Sequence, residues 1–276
     1  MTITFRSSGQ QVMVASNKFL FPLPLFPTTN LIFNFSALSG TSTTTNGATI
    51  ATWTDARTGL VAYNYAGGVP LTYHTDITIN SIPTLTGFAT ITYGNRTTPQ
   101  NSWTWYGVVR FGTGGIVGSL IINTNNTNNT YTVRVVYDSF QTFKPCQTGI
   151  VVGPGPASSS GGPVNSWVPQ INTNYIFSYI CTGSSPNSTT STQTYKFRIN
   201  GVDYTPSANT DTGYYYIYNM GIGNDSTNTC YTGEQILYST NHSLATAQTM
   251  EQYLSNKWQI PIGGASTPAS SSPYIN

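Results

Sequence analysis

The chain reads as an all-β fold closed by one C-terminal helix, and three observations predict it. Only 7% of its 276 residues are charged and 13% are aromatic. Thr, Tyr, Asn and Gly are abundant, residue types that suit pleated surfaces and turns. Short segments of alternating polarity, SWTWYGVVRF and YTVRVVYD among them, recur between Asn- and Gly-rich turns. A single stretch near the C-terminus has helical spacing instead, with Ala247, Met250, Leu254 and Trp258 along one face.

With 38% hydrophobic residues the chain has enough apolar surface for a sizeable core, which sets it apart from a disordered low-complexity chain. A formal charge of +2 with ten scattered Lys and Arg makes no basic field, so nucleic acid is excluded as a partner. No apolar run approaches the roughly 18 to 20 residues of a membrane-spanning helix. The first thirty residues lack the basic start and apolar run of a secretory signal, so neither membrane insertion nor standard secretion is expected. Three cysteines, Cys146, Cys181 and Cys230, are too few and too far apart for a disulfide framework; one bridge remains open.

Taken in order, residues 1–30 include FLFPLPLFP, where Pro22, Pro24 and Pro27 forbid a helix or a central strand. An extended apolar arm is expected, either wrapped on its own domain or seated against another subunit. LIFNFSA then reads as a strand, and ATWTDARTG as a turn beneath a packed Trp53. Asp55 in that turn could bind calcium, since hard cations take carboxylate oxygens, but one carboxylate makes no site and an Asx-type turn is the favoured role. His74 and Asp76 are expected in a loop; a His two residues from an Asp can hold a metal, yet the chain has only two histidines. The passage from Ile79 to Tyr93 reads as alternating strand, and SWTWYGVVRF as a central strand with Trp103, Trp105, Gly107 and Val109 on one face.

The glycines of FGTGGIVGS mark a turn, not a phosphate loop, because no Lys-Ser/Thr and no helix follow. YTVRVVYD is the next strand. Residues 149–167 form a long Gly/Pro/Ser loop that a compact domain would use for function or contact. IFSYICTG and TYKFRINGVDY are two further strands, the second turning at Asn200-Gly201, a pair suited to the positive φ of a tight hairpin. YYYIYNMGIG leads to a last strand ending at Tyr238, and Ser243 or Thr246 is placed to cap the one substantial helix before Pro261. Sequons occur at Asn125, Asn187 and Asn241, as Asn/Thr-rich sequence produces by chance.

The stretch GEQILYSTNHSLATAQTMEQYLSNKW resembles the C-terminal signature of the concanavalin A-like lectin/glucanase superfamily in its laminin-G-like form. There a strand like GEILIYN leads through a capped turn into a helix ending VEGYLANKW. Glu234, Ile236, Leu237, Tyr238, Leu244, Glu251, Tyr253, Leu254, Lys257 and Trp258 carry the match. Trp53, Asp55 and Gly59 resemble its WxDxSG passage, Asn200-Gly201 its hairpin, and Gly221, Gly223 and Gly233 its glycine-rich approach to the last strand. The helix is about two residues short at its start and lacks the usual acidic residue there, and Asn34 stands where relatives carry Asp. The resemblance implies a two-sheet antiparallel jelly-roll sandwich over residues 31–262, with an arm at 1–30 and a Gly/Ser/Pro-rich tail at 263–276.

The resemblance spans lectins and glycan-cleaving enzymes. Glycoside hydrolysis needs two carboxyls flanking the scissile bond, about 5 to 5.5 Å apart for retention. The only glutamates are Glu234 and Glu251, both inside the C-terminal signature, and no strand places two acids at alternate positions. His242 beside Ser243 is a mere sequence neighbour of a hydroxyl. A non-catalytic module is therefore expected, with no required cofactor beyond a possible calcium ion; a secreted or surface glycoside hydrolase or lyase of the same fold is the alternative. Sugar binding asks for aromatic faces and amide or hydroxyl partners, and Tyr73, Trp167, Tyr215, Asn224 and Asp225 are the loop-proximal candidates. Laminin-G-like modules are common on virions, and with the sparse charge this suggests a capsid or fibre component. Its partners would be glycans or other virion subunits, in a homo- or hetro-oligomer that covers the arm and tail.

Overall fold

The computed structural model describes residues 14–15, 18–19, 27–64, 69–92, 101–112, 121–126, 129–133, 136–137, 143–144, 149–150, 170, 172–185, 191–205, 210–213, 219–223 and 230–263. The strands begin with β1 (Val14–Ala15), β2 (Lys18–Phe19), β3 (Leu31–Ser36), β4 (Thr52–Thr54), β5 (Val61–Asn64), β6 (Thr72–Ile79) and β7 (Ile82–Thr86). They continue as β8 (Phe88–Thr92), β9 (Trp103–Phe111), β10 (Ile121–Asn126), β11 (Asn129–Val133), β12 (Val136–Tyr137), β13 (Phe143–Lys144) and β14 (Gly149–Ile150). Last come β15 (Asn174–Gly183), β16 (Ser191–Ile199), β17 (Val202–Asp203), β18 (Thr210–Gly213), β19 (Asn219–Gly223), β20 (Cys230–Tyr238) and the helix α1 (Leu244–Trp258).

Two antiparallel sheets make the sandwich. One has the order β14-β11-β10-β19-β8-β5-β4; the other runs β17-β16-β15-β9-β20-β7-β6, with β18 on β16 and β3 on β20. Residues directly opposite one another on neighbouring strands share a face. Phe35, Gln235, Gly107 and Phe177 form one such row. Phe35 packs on Trp53 of the other sheet with ring centroids 5.1 Å apart, so this face is the interior. Trp103, Trp105, Phe177, Tyr179 and Phe197 fill it, fully buried. The opposite face of the same sheet is the outer one, and α1 lies on it.

Three sequence expectations change here. The passage from Ile79 to Tyr93 is not one strand: it divides at Gly87, β7 joining one sheet and β8 the other. Gly87 has φ of 96°, and a Cβ there would meet the Pro70 carbonyl oxygen at 2.1 Å, so only glycine lets the chain cross between sheets at this point. YTVRVVYD is likewise broken, since β11 belongs to the seven-stranded sheet and β12 pairs with β13. His74 and Asp76 lie within β6, not in a loop.

The hairpin between β16 and β17 turns as expected, with Asn200 and Gly201 at φ of 46° and 79°. β20 is longer than its signature suggests; both of its edges are paired and all nine of its residues are buried. Its register with β9 slips between Thr232 and Glu234, and across that bulge its other edge passes from β7 to β3. Trp258 packs over this central strand: a Cβ on Gly233 would meet its ring at 2.8 Å. α1 is capped by Ser243, whose side chain accepts from the Thr246 amide, and ends at Gln259 in a left-handed conformation. Beyond it, Gly263 N donates to Asn200 O at 2.7 Å, while residues 264–276 lie outside the described residues. At the other end, Tyr238 donates its hydroxyl hydrogen to Pro27 O at 2.8 Å, and of the arm the structure describes β1, β2 and residues 27–30.

Candidate functional site

The two glutamates sit beneath α1 on the outer face. Glu234 is fully buried and accepts from Lys257 Nζ at 2.8 Å and Trp258 Nε1 at 2.6 Å. Glu251 projects from the helix, 1% exposed, and accepts from Arg198 Nε at 2.7 Å and Nη2 at 3.1 Å. Burial pulls Arg198 toward lower pKa, but the hydrogen bonds and charge of Glu251 outweigh it and its pKa is raised. Lys257 is raised against its own desolvation in the same way, by Glu234 and then Tyr253. Each carboxylate is thus paired with a buried cation, and neither partner can leave without stranding a buried charge.

Asp55 is 1% exposed and wholly engaged in its turn. Its oxygens accept from Asn34 N and Arg57 N, each at 2.8 Å, and from the Thr58 hydroxyl. Those donors aim hydrogen atoms where a cation would have to stand. Among the described residues no group of three His, Cys, Asp or Glu side chains gathers as a metal site.

A second polar group occupies the outer face at the β6, β9 and β20 strands. Tyr231 lies directly opposite Arg110, and His74 stands beside it, the His74 and Tyr231 rings meeting edge-on at 5.4 Å. His74 Nε2 is 2.8 Å from Thr86 Oγ1, and its Nδ1 is 3.6 Å from Asp76 Oδ1. Arg110 donates through Nη1 to Thr78 O at 3.3 Å and through Nη2 to Asn172 Oδ1 at 3.5 Å. Burial raises the Tyr231 pKa; the charge of Asp76 adds to that and Arg110 opposes it. The Asp76 side chain is 59% exposed, so the group opens to solvent on that side. Two cationic or protonatable groups, a phenol and a carboxylate therefore share one surface, an arrangement suited to holding polar substituents.

At the other end of the outer face His242 sits between Tyr106 and Tyr238, its Nδ1 2.8 Å from the Tyr106 hydroxyl and its ring 4.3 Å from that of Tyr238. Burial pushes its pKa down to about 4. This is a neutral packing histidine under the start of α1.

Of the sugar-binding candidates, Tyr73 lies among the described residues. Tyr73 is opposite Leu85 on the interior face and 5% exposed, so its ring offers no open platform. Trp167, Tyr215, Asn224 and Asp225 lie outside the described residues. Cys181 and Cys230 are buried, the Cys181 thiol donating to Asn101 O at 3.3 Å, and Cys146 is outside the described residues. Asn241 is exposed and donates to Thr182 Oγ1 at 3.3 Å. Arg110 and Tyr231 were missed in the sequence, although Arg110 is the one charge in SWTWYGVVRF and alternates with Tyr106 and Val108, a sign of the outer face.

No protein-family model matches the chain, and no curated protein does. Among solved structures it is similar to Trypanosoma rangeli sialidase in complex with sialic acid, at 12% identity and a TM-score of 0.49, over 89% of this chain and 36% of that one. It is also similar to domain 4 of an extracellular arabinanase from Geobacillus stearothermophilus in complex with arabinotriose, at 11% identity and a TM-score of 0.45, over 81% of this chain and 98% of the domain. The receptor binding domain of botulinum neurotoxin type G matches at 11% identity and a TM-score of 0.46, over 83% of this chain and 51% of that one. The chain spans about a third of the length of the sialidases it matches. Likeness at these scores supplies no argument about what this chain does.

Proposed function

We propose that the chain is a non-catalytic β-sandwich module that binds glycans and serves as a surface or structural component of a virion, assembled there with other subunits. The observation that carries the non-catalytic part is the commitment of both glutamates to buried ion pairs, 0% and 1% exposed, which leaves neither free to protonate a leaving group or attack a sugar. Asp55 is equally committed to its turn. The binding part is supported by the group of His74, Asp76 and Arg110 beside the buried Tyr231, open to solvent at Asp76, which places donors and an acceptor together on one outer surface. The virion reading is supported by the sparse charge, since a surface of uncharged polar side chains lacks the like-charge repulsion that keeps soluble proteins apart.

The test is a glycan array run beside a panel of β-glucans and chromogenic glycosides. The proposal expects at least one array signal and no turnover. Turnover lost on substituting a single acid would establish the enzyme instead, and a blank array would remove the glycan from the proposal.

A further inference from the structure

Among the described residues, three buried or partly buried cations lie on the outer face, two with a carboxylate and one without. Arg198 and Lys257 each meet a glutamate at 2.7 and 2.8 Å. Arg110, on the same face and partly buried, pairs with no carboxylate among the described residues; its acceptors are the neutral oxygens of Thr78 and Asn172 at 3.3 and 3.5 Å. Its Nε is buried with no acceptor. Of the guanidinium nitrogens, Nη1 and Nη2 each reach one neutral oxygen at long distance and the buried Nε reaches none, which desolvation makes costly.

We infer that Arg110 is the anion-holding residue of the outer-face site, and that the glycans bound there carry a carboxylate or sulfate group; this rests on the glycan-binding reading above. Such a group would exchange the two long contacts to neutral oxygens for charge-assisted bonds of about 2.7–2.9 Å, with the fork geometry that guanidinium shares with planar oxyanions. Tyr231, opposite Arg110, and the His74 ring wall the site on one side. Asp76 is the opposing charge. It is turned toward His74 at 3.6 Å, yet its carboxylate lies close enough to act on Tyr231 and so weakens any anion bound nearby.

The experiment is an array of sialylated, uronic-acid-containing and sulfated glycans, each beside its neutral parent, read with the wild-type chain and with Arg110→Gln, Arg110→Lys and Asp76→Asn. Wild type should bind at least one acidic glycan about tenfold better than its parent, the size of one charge-assisted hydrogen bond. Arg110→Gln should fall to the level of the parent with an unchanged melting temperature, and Asp76→Asn should bind the acidic glycan more tightly. Arg110→Lys keeps the charge without the fork and should lose most of the preference, which serves as the readout if the glutamine variant does not fold. Selection of carboxylated members identifies a carboxylate ligand, and selection of sulfated members a sulfate. Equal binding of acidic and neutral glycans, or an acidic preference that survives both Arg110 variants, overturns the inference and leaves glycan binding standing. A blank array overturns both.

Discussion

Glu251 and His242 show how single side chains tie α1 to the sheet. Removing the carboxylate of Glu251 leaves the Arg198 guanidinium buried beside a neutral group, so Glu251→Gln should cost about 3–5 kcal/mol in chemical denaturation. His242 acts through protons. Its folded pKa of about 4 lies below the unfolded value near 6.5, so the folded state favours the neutral ring. That contribution is fully present above pH 6.5 and is lost as pH falls from 6.5 toward 4. Each unit in the window corresponds to at most about 1.4 kcal/mol, reduced by the ring's contact with solvent. Denaturation at pH 7 and pH 4.5 should show a larger acid loss in wild type than in His242→Asn; equal losses would place the titration elsewhere. The two glutamates were legible in the sequence because they fall within a recognisable signature. Arg110 was not, because nothing local says whether an arginine at a strand end meets a carboxylate from a distant strand.

At the scale of elements, α1 and the glycines carry the consequences. Trp258 is fully buried over Gly233, so Trp258→Ala should cost roughly 3–5 kcal/mol, the range for truncating a buried aromatic. A melting temperature within a degree of wild type would mean that the helix does not hold the central strand. Gly87→Ala should be more severe than an ordinary loop substitution, since the new Cβ would meet backbone, and Pro70 cannot move without carrying β6. Expression as soluble, wild-type-like protein would contradict the crossing geometry. The helix, its Ser243 cap and the hairpin at Asn200 were readable because periodicity, capping and turn chemistry are local. The crossing at Gly87 was not, because alternation continues through it and only the partner strands differ. His74 was expected in a loop for a related reason: the irregular pairing of β6 and β7 between His74 and Thr78 hides the strand's alternation.

The whole molecule is a sandwich whose interior is lined by stacked aromatics and whose outer face is divided between a helix and a polar group. Its sheet membership could not be read from composition, since both sheets draw on the same residue types; the resemblance at the C-terminus implied two sheets and placed no strand in either. The apolar arm is proposed to contact neighbouring subunits, with Pro27 as its anchor on the domain through Tyr238. Deleting residues 1–26 should lower the mass in solution while leaving the melting temperature nearly unchanged. The same mass with a much lower melting temperature would assign the arm to its own domain.

The central claim, binding without turnover, is tested most directly by incubating the protein with its strongest array glycan and analysing that glycan by mass spectrometry. The account predicts a glycan that is retained by the protein and recovered intact after prolonged incubation. Shortened or otherwise converted glycan, formed by wild type and not by a variant lacking one acid, would contradict it.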